Sequence, residues 1–374
     1  MQSQPLHKLK ILVAPLDWGL GHTTRCIPIV YELLKCGAEV LLAGNAVQQA
    51  LLSREFPACT FINLEGYNIS YSSTGKGFVW GILRQTPAML QTIRRENKWL
   101  DGIIDKHQID AVISDNRYGL HSKKVPCVFI THQLYIKNGL GKLGEQILQR
   151  FNYKQINNFT KCWIPDFKGT PNLAGELSHP KIKPATTCEY IDPLSRIKFF
   201  DHTKTPGYIL FILSGPEPQR SIFETIIFEQ LQQTGVAATV VRGKPADINP
   251  PAQLKGVTVY NHLSTDDLNK EMCRADYIIC RSGYSSVMDI ARLNTKPILV
   301  PTPGQTEQEY LASYLSKLKF CITSSQKDFN IQELLGKATA YQFHNPFLQK
   351  KYNLGEVVQS FVNDCLAMKK MIRP

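Results

Sequence analysis

Short apolar runs alternate with longer amphipathic stretches along almost the whole chain, and few arrangements can bury such a pattern. A run too short for a helix and apolar on both faces fits a strand inside a parallel sheet. The amphipathic stretch after it fits the crossover helix. The pattern predicts strands over 9–14, 39–43, 111–114 and 127–131, with a helix over 22–35. It then restarts. Strands are predicted over 208–213, 237–241, 257–260, 277–280 and 298–300, and helices over 219–232, 264–274, the stretch after 283, and 307–317. The polar, Pro-rich stretch 193–206 between the two series resembles a linker. Two Rossmann-like α/β halves follow, 1–200 and 206–345, with 346–374 as a tail whose amphipathic helix over 354–371 is expected to pack back on the first half.

With 374 residues, 43% of them hydrophobic, the chain has room for two cores. The formal charge of +12 favours an acidic partner: a phosphorylated ligand, an anionic membrane or a nucleic acid. A nucleic-acid module would show stacking aromatics among lysines, and none is apparent, so no nucleic acid is expected. The ten cysteines form no C-x-x-C pair and read as free thiols of a reducing compartment. No signal peptide or membrane span is legible, and a cytoplasmic location is expected. In residues 75–90, Phe78, Val79, Trp80, Ile82 and Leu83 precede a helix predicted to begin at Thr86, with Arg84, Arg94, Arg95 and Lys98 following. Such a cluster suits either contact with an anionic membrane or the first half's core.

Parallel sheets bind ligands where loops leave the carboxyl ends of strands. The first such loop, PLDWGLGHTT (15–24), carries Gly19 and Gly21 and then His22 at the helix start. Glycine admits close approach of a ligand to the backbone, and a helix N-terminus attracts anions. A dinucleotide fingerprint fails here: Thr24 replaces the third glycine, and the second strand ends in Gly44-Asn45 instead of an acid. In the second half, SGPEPQR (214–220) offers Ser214 and Gly215. CRSGYSSVMD (280–289) places Arg281, Ser282, Gly283, Ser285 and Ser286 at a helix start, suited to a diphosphate held without metal, with Asp289 one turn on for a ribose diol. VPTPGQTEQEY (300–310) adds a polar helix start at Thr306, Glu307 and Gln308, suited to sugar hydroxyls.

The stretch CRSGYSSVMDIARLNTKPILVPTPGQTEQEY resembles the donor half of GT-B glycosyltransferases of family 28, among them the bacterial N-acetylglucosaminyltransferases of the lipid-linked peptidoglycan precursor. DWGLGH resembles that family's N-terminal glycine-rich loop ending in histidine, and FITHQ (129–133) its acceptor-side histidine segment, with His132 and Gln133. The resemblance implies two Rossmann-like domains whose parallel sheets face each other across a central cleft. It implies an inverting, metal-independent transfer of a sugar from a nucleotide diphosphate sugar, with no cofactor, to an acceptor hydroxyl, and a lipid-linked acceptor at the inner face of the cell membrane. Carried over by residue, it sets Ser214 and Gly215 near the diphosphate, and Asn261, His262 and Leu263 at the base. Arg281, Ser282, Gly283, Tyr284, Ser285 and Ser286 would hold the diphosphate and Asp289 the ribose. Glu307, Gln308 and Glu309 would face the sugar, Glu309 standing where the family usually shows a second glutamine. His22 is the candidate base, and Asp115 in ISDNRYG would orient it as in the His-Asp dyads of plant-type GT-B enzymes. The alternatives are a GT-B sugar-nucleotide epimerase, which needs several carboxylates around the sugar, and a non-enzymatic basic nucleotide- or nucleic-acid-binding protein.

Overall fold

The computed structural model describes residues 8–67, 78–138, 141–197, 204–245, 247–249 and 253–372, the side chains of 78–87 and 372 excepted. Two parallel sheets organise them. The first contains β1 (Lys10–Pro15), β2 (Glu39–Gly44), β3 (Thr60–Asn63), β4 (Ala111–Asp115), β5 (Cys127–Ile130), β6 (Lys161–Ile164) and β7 (Thr187–Tyr190), in the order β3-β2-β1-β4-β5-β6-β7. The second contains β8 (Ile209–Ile212), β9 (Ala238–Val241), β10 (Val257–Tyr260), β11 (Tyr277–Cys280), β12 (Lys296–Leu299) and β13 (Ile322–Thr323), in the order β10-β9-β8-β11-β12-β13. The central strands are buried throughout, which is why they read as unbroken apolar runs.

The helices are α1 (Leu20–Lys35), α2 (Ala46–Glu55), α3 (Phe78–His107), α4 (Gly141–Ile156), α5 (Gln219–Thr234), α6 (Thr265–Arg274), α7 (Tyr284–Ala291), α8 (Thr306–Lys317), α9 (Ile331–Ala340) and α10 (Leu354–Ile372). One difference from expectation concerns α3. Its backbone is helical from Phe78, so the aromatic cluster lies within the helix and not ahead of it. The side chains of that cluster, on which the membrane expectation rests, and residues 75–77 lie outside the described residues.

Strand order reverses between β1 and β4 in the first sheet and between β8 and β11 in the second. At such a switch point the loops part to opposite faces and leave a crevice. The loops after β1, β4, β8 and β11 therefore form the mouths of two crevices and carry His22, Asp115, Ser214, Gly215 and the stretch 281–286, while His132 and Gln133 follow β5, Asn261, His262 and Leu263 follow β10, and Glu307, Gln308 and Glu309 follow β12. α10 crosses back to the first half: Phe361 meets Trp163 edge-on at 5.3 Å, Lys161 Nζ pairs with Asp364 at 2.9 Å, and Lys369 Nζ with Asp110 at 2.7 Å. One apolar core runs from β1, α1 and α10 through to Val287 and Met288 of α7, so the halves share buried surface. Among the described residues no helix is long and apolar enough to cross a membrane.

Candidate active site

β1 delivers the chain into the first crevice through Leu16–Gly19, and α1 starts beyond Gly19, whose φ of 81° suits glycine. Gln48 holds that loop, its amide donating to the carbonyls of Pro15 and Leu16 at 3.1 Å each and to Thr23 Oγ1 at 3.2 Å. His22 lies in the first turn of α1. Its Nδ1 is 3.0 Å from Asp115 Oδ2, at the end of the neighbouring strand β4. Asp115 is fully buried and is shared with Arg25, whose Nε lies 3.0 and 2.8 Å from its two oxygens and whose Nη2 bonds Oδ1.

Burial pushes the Asp115 carboxyl upward, but Arg25 and His22 outweigh it and hold the group at about 2. His22 is lowered from its ordinary value, first by burial and then by the Arg25 charge, against the opposing pull of Asp115. The imidazole is therefore neutral at neutral pH, a state in which it can take a proton.

The second half closes on this group. Ser285 Oγ donates to the Gly21 carbonyl at 2.9 Å, and a Cβ on Gly21 would come within 2.9 Å of that hydroxyl, so glycine there permits the approach of α7 to α1. His132 stacks on Tyr284 with ring centres 4.0 Å apart and planes at 9°. His132 Nε2 lies 2.7 Å from Glu307 Oε1, and the Gln133 amide donates to Glu307 Oε2. The sequence assigned His132 and Gln133 to the acceptor side and Glu307 to the sugar; the structure brings the three into contact across the cleft. Burial raises Glu307, but His132, His22 and Arg25 together leave it lowered.

Several of the side chains expected on the ligand also bond within the protein. Arg281 is 1% exposed and turns inward. It donates to the carbonyls of Val300 (3.3 Å), Pro301 (3.1 Å) and Gln219 (3.0 Å) and to Gln326 Oε1, and it lies 4.2 Å from the centre of the Phe223 ring. Its guanidinium ties together the loops that end β8, β11 and β12, because a planar fork with five donors can satisfy carbonyls from three directions. Ser282 Oγ donates to Gln308 O at 2.8 Å, and the Tyr284 hydroxyl to Pro165 O at 2.7 Å. Asp289 accepts from Ser195 Oγ at 2.7 Å and faces Arg196 Nε at 3.8 Å, so it anchors the linker between the halves. Gln308 Oε1 accepts from Thr302 N at 2.9 Å, and its amide bonds Gln305. Glu309 folds back to accept from Gly304 N at 3.1 Å. These side chains brace the loops around the second crevice, and Arg281 Nε is buried there without a hydrogen-bond partner among the described residues.

Ser214, Gly215, Gly283 and Ser286 remain at the mouths of the second crevice, Gly215 with a φ of 107°. Thr302 Oγ1 is buried without a hydrogen-bond partner among the described residues, 3.9 Å from where a Cβ on Gly215 would sit. The Asn261 side chain accepts from Arg242 at 2.7 Å and donates to the carbonyls of Asp247 (3.1 Å) and Asn249 (2.6 Å), bracing the edge where His262 and Leu263 emerge. Among the described residues no three His, Cys, Asp or Glu side chains converge as metal ligands would.

Residues 209–360 match the model of the Glycosyltransferase family 28 C-terminal domain. A Methanosarcina acetivorans protein described as an uncharacterized glycosyltransferase is 23% identical over 348 residues, 83% of this chain and 84% of its own. The UDP-N-acetylglucosamine--N-acetylmuramyl-(pentapeptide) pyrophosphoryl-undecaprenol N-acetylglucosamine transferase of Actinobacillus pleuropneumoniae is 26% identical over 343 residues, 87% of this chain and 88% of its own. The crystal structure of Acinetobacter baumannii MurG superposes with a TM-score of 0.56 at 14% identity, covering 96% of this chain and 99% of that one. The chain is a glycosyltransferase of GT-B fold whose residues 209–360 match the family 28 C-terminal domain. As a glycosyltransferase it leaves behind the epimerase and the non-enzymatic binder considered from the sequence.

Arg25 is the residue of this glycosyltransferase's site that sequence reasoning missed. One signal could have found it. It falls one turn after His22, inside the apolar stripe Cys26, Ile27, Ile29, Val30 and Leu33, where a cation is out of place unless paired.

Proposed function

We propose that this glycosyltransferase moves a sugar from a nucleoside diphosphate, with uridine the first base to test, to an acceptor hydroxyl with inversion and without a metal. The observation that carries the reading is the 3.0 Å pair of His22 Nδ1 and Asp115 at the switch point of the first sheet. With Nδ1–H donated to Asp115, the Nε2 lone pair is left for chemistry. The acceptor oxygen attacks the anomeric carbon, and its proton passes to His22 Nε2. The bond from that carbon to the phosphate oxygen breaks, and its electron pair leaves with the nucleoside diphosphate. Backbone N–H groups around Gly215 and Gly283, with Ser286 and the unpartnered Thr302 hydroxyl, suit the developing negative charge. The peptidoglycan relative's name joins a UDP sugar to a polyprenol-linked acceptor. A lipid-linked acceptor and contact with an anionic membrane from the cytoplasmic side belong to the same proposal.

The test is His22→Gln, assayed by donor hydrolysis or an acceptor screen without added magnesium. Loss of the base should lower turnover by ~10²–10⁴ while donor binding holds. The wild-type rate should fall as pH drops through the lowered His22 pKa, a limb missing from the glutamine variant. A folded His22→Gln protein that transfers at near wild-type rate would refute the assignment.

A further inference from the structure

We propose that Arg25 is the positioning residue that sets both histidines of the site, presenting His22 Nε2 as an unprotonated base and His132 Nε2 as a hydrogen-bond donor to Glu307. The proposal rests on the reading of His22 as base. Arg25 is 2% exposed, and its fork spans two partners: Nε and Nη2 hold Asp115, and Nη1 lies 3.3 Å from His132 Nδ1. A guanidinium can only donate. His132 Nδ1 must therefore accept, its ring proton sits on Nε2, and that proton points along the 2.7 Å contact to Glu307 Oε1. Asp115, kept anionic by the same fork, accepts from His22 Nδ1–H and leaves Nε2 open.

Charge matters as well as tautomer. The groups acting on His22 are Asp115 from β4, Arg25 from α1, His132 beyond β5 and Glu307 from α8, with Cys26 Sγ 3.8 Å from the same Asp115 carboxylate. Arg25 is the fixed cation among two carboxylates. Without it, His22 would face the two carboxylates uncompensated and would bind a proton more readily, although burial would still oppose the charge. Burial and this one arginine together keep the base unprotonated, and the arginine ties it to Glu307 in the other half through His132. A lysine would supply the charge but not the fork.

The experiment is an NMR titration of the histidine rings in the full-length protein, with His22→Gln identifying the His22 resonance, beside the pH profile of donor hydrolysis. Arg25→Met should raise the His22 pKa by about one unit or more. The acid limb of the rate should move up with it, whereas a merely structural loss would lower the rate at every pH and leave the limb in place. Arg25→Lys guards against a methionine variant that fails to fold: His22 should keep its low pKa, while the His132 ring nitrogens lose the signature of a single tautomer. A His22 titration unmoved in Arg25→Met, or His132 nitrogens unchanged in Arg25→Lys, overturns the proposal. The two readings fail separately. An inactive His22→Gln with an unmoved titration removes only the role of Arg25, whereas a fully active His22→Gln removes the base and the positioning role together.

Discussion

Replacing Arg281 by Met separates two roles that a family motif cannot distinguish. If the guanidinium faced a diphosphate, the variant would stay stable and lose nucleotide. The structure points to the opposite outcome. Arg281 donates to three carbonyls and the Gln326 amide oxygen and lies over Phe223 at 4.2 Å. Hydrogen bonds from a charged group are worth about 1.5–3 kcal/mol each, but the contributions are not additive. The cation–π contact adds about 1 kcal/mol or more in a desolvated setting. Against this, burying the cation is costly, and burial lowers its pKa to about 10. Methionine refills most of the volume without that penalty. A net loss of about 2–4 kcal/mol follows, which for a unit of this size is a fall in Tm of ~4–16 °C. The assay is denaturant and thermal unfolding, paired with calorimetric nucleotide binding at a temperature where both proteins are folded. The expected pattern is a lowered midpoint with affinity changed less than about fivefold, since the backbone N–H groups at the helix start remain. A wild-type midpoint combined with a tenfold or greater loss of nucleotide affinity would refute the inward role.

Two further outcomes follow from the geometry. Gly21→Ala sets a Cβ 2.9 Å from Ser285 Oγ, so transfer should fall, and the added change Ser285→Ala should restore part of it; a double-mutant cycle of rates that is simply additive would deny contact between the halves there. Asp115 is held at about 2, below its ordinary value near 3.9, so its stabilisation is present above about pH 4 and is lost as pH falls toward 2. Asp115→Asn, which leaves Arg25 buried without its anion, should cost about 3–5 kcal/mol at neutral pH, and the gap to wild type in denaturant midpoint should narrow as pH falls from 4 to 2.

Local pattern was enough to find most of the frame. The central strands are short and apolar on both faces, and the expected strand over 277–280 coincides with β11. The edges were harder. The patterns β3 (TFIN) and β7 (TCEY) mix polar and apolar residues because edge strands are only half covered, and neither was expected. The final amphipathic helix was legible from its apolar stripe, and its place against Trp163 and Lys161 of the first half came with the tertiary structure.

The site divides along the same line. Glycines, a histidine at a helix start and an arginine-serine-glycine turn are short-range features, and the sequence alone located the loops that carry them. Where each side chain points depends on what stands opposite it. The carbonyls that capture Arg281 include those of Val300 and Pro301, which β12 brings alongside β11. Asp115 meets His22 and Arg25 because β4 pairs with β1. His132 meets Glu307 only because the halves close on each other. A sequence fixes which groups are available and the local turn that bears them. Contacts between distant segments wait on sheet pairing and domain packing, so the inward turn of Arg281 and the central place of Arg25 were decided by the tertiary structure.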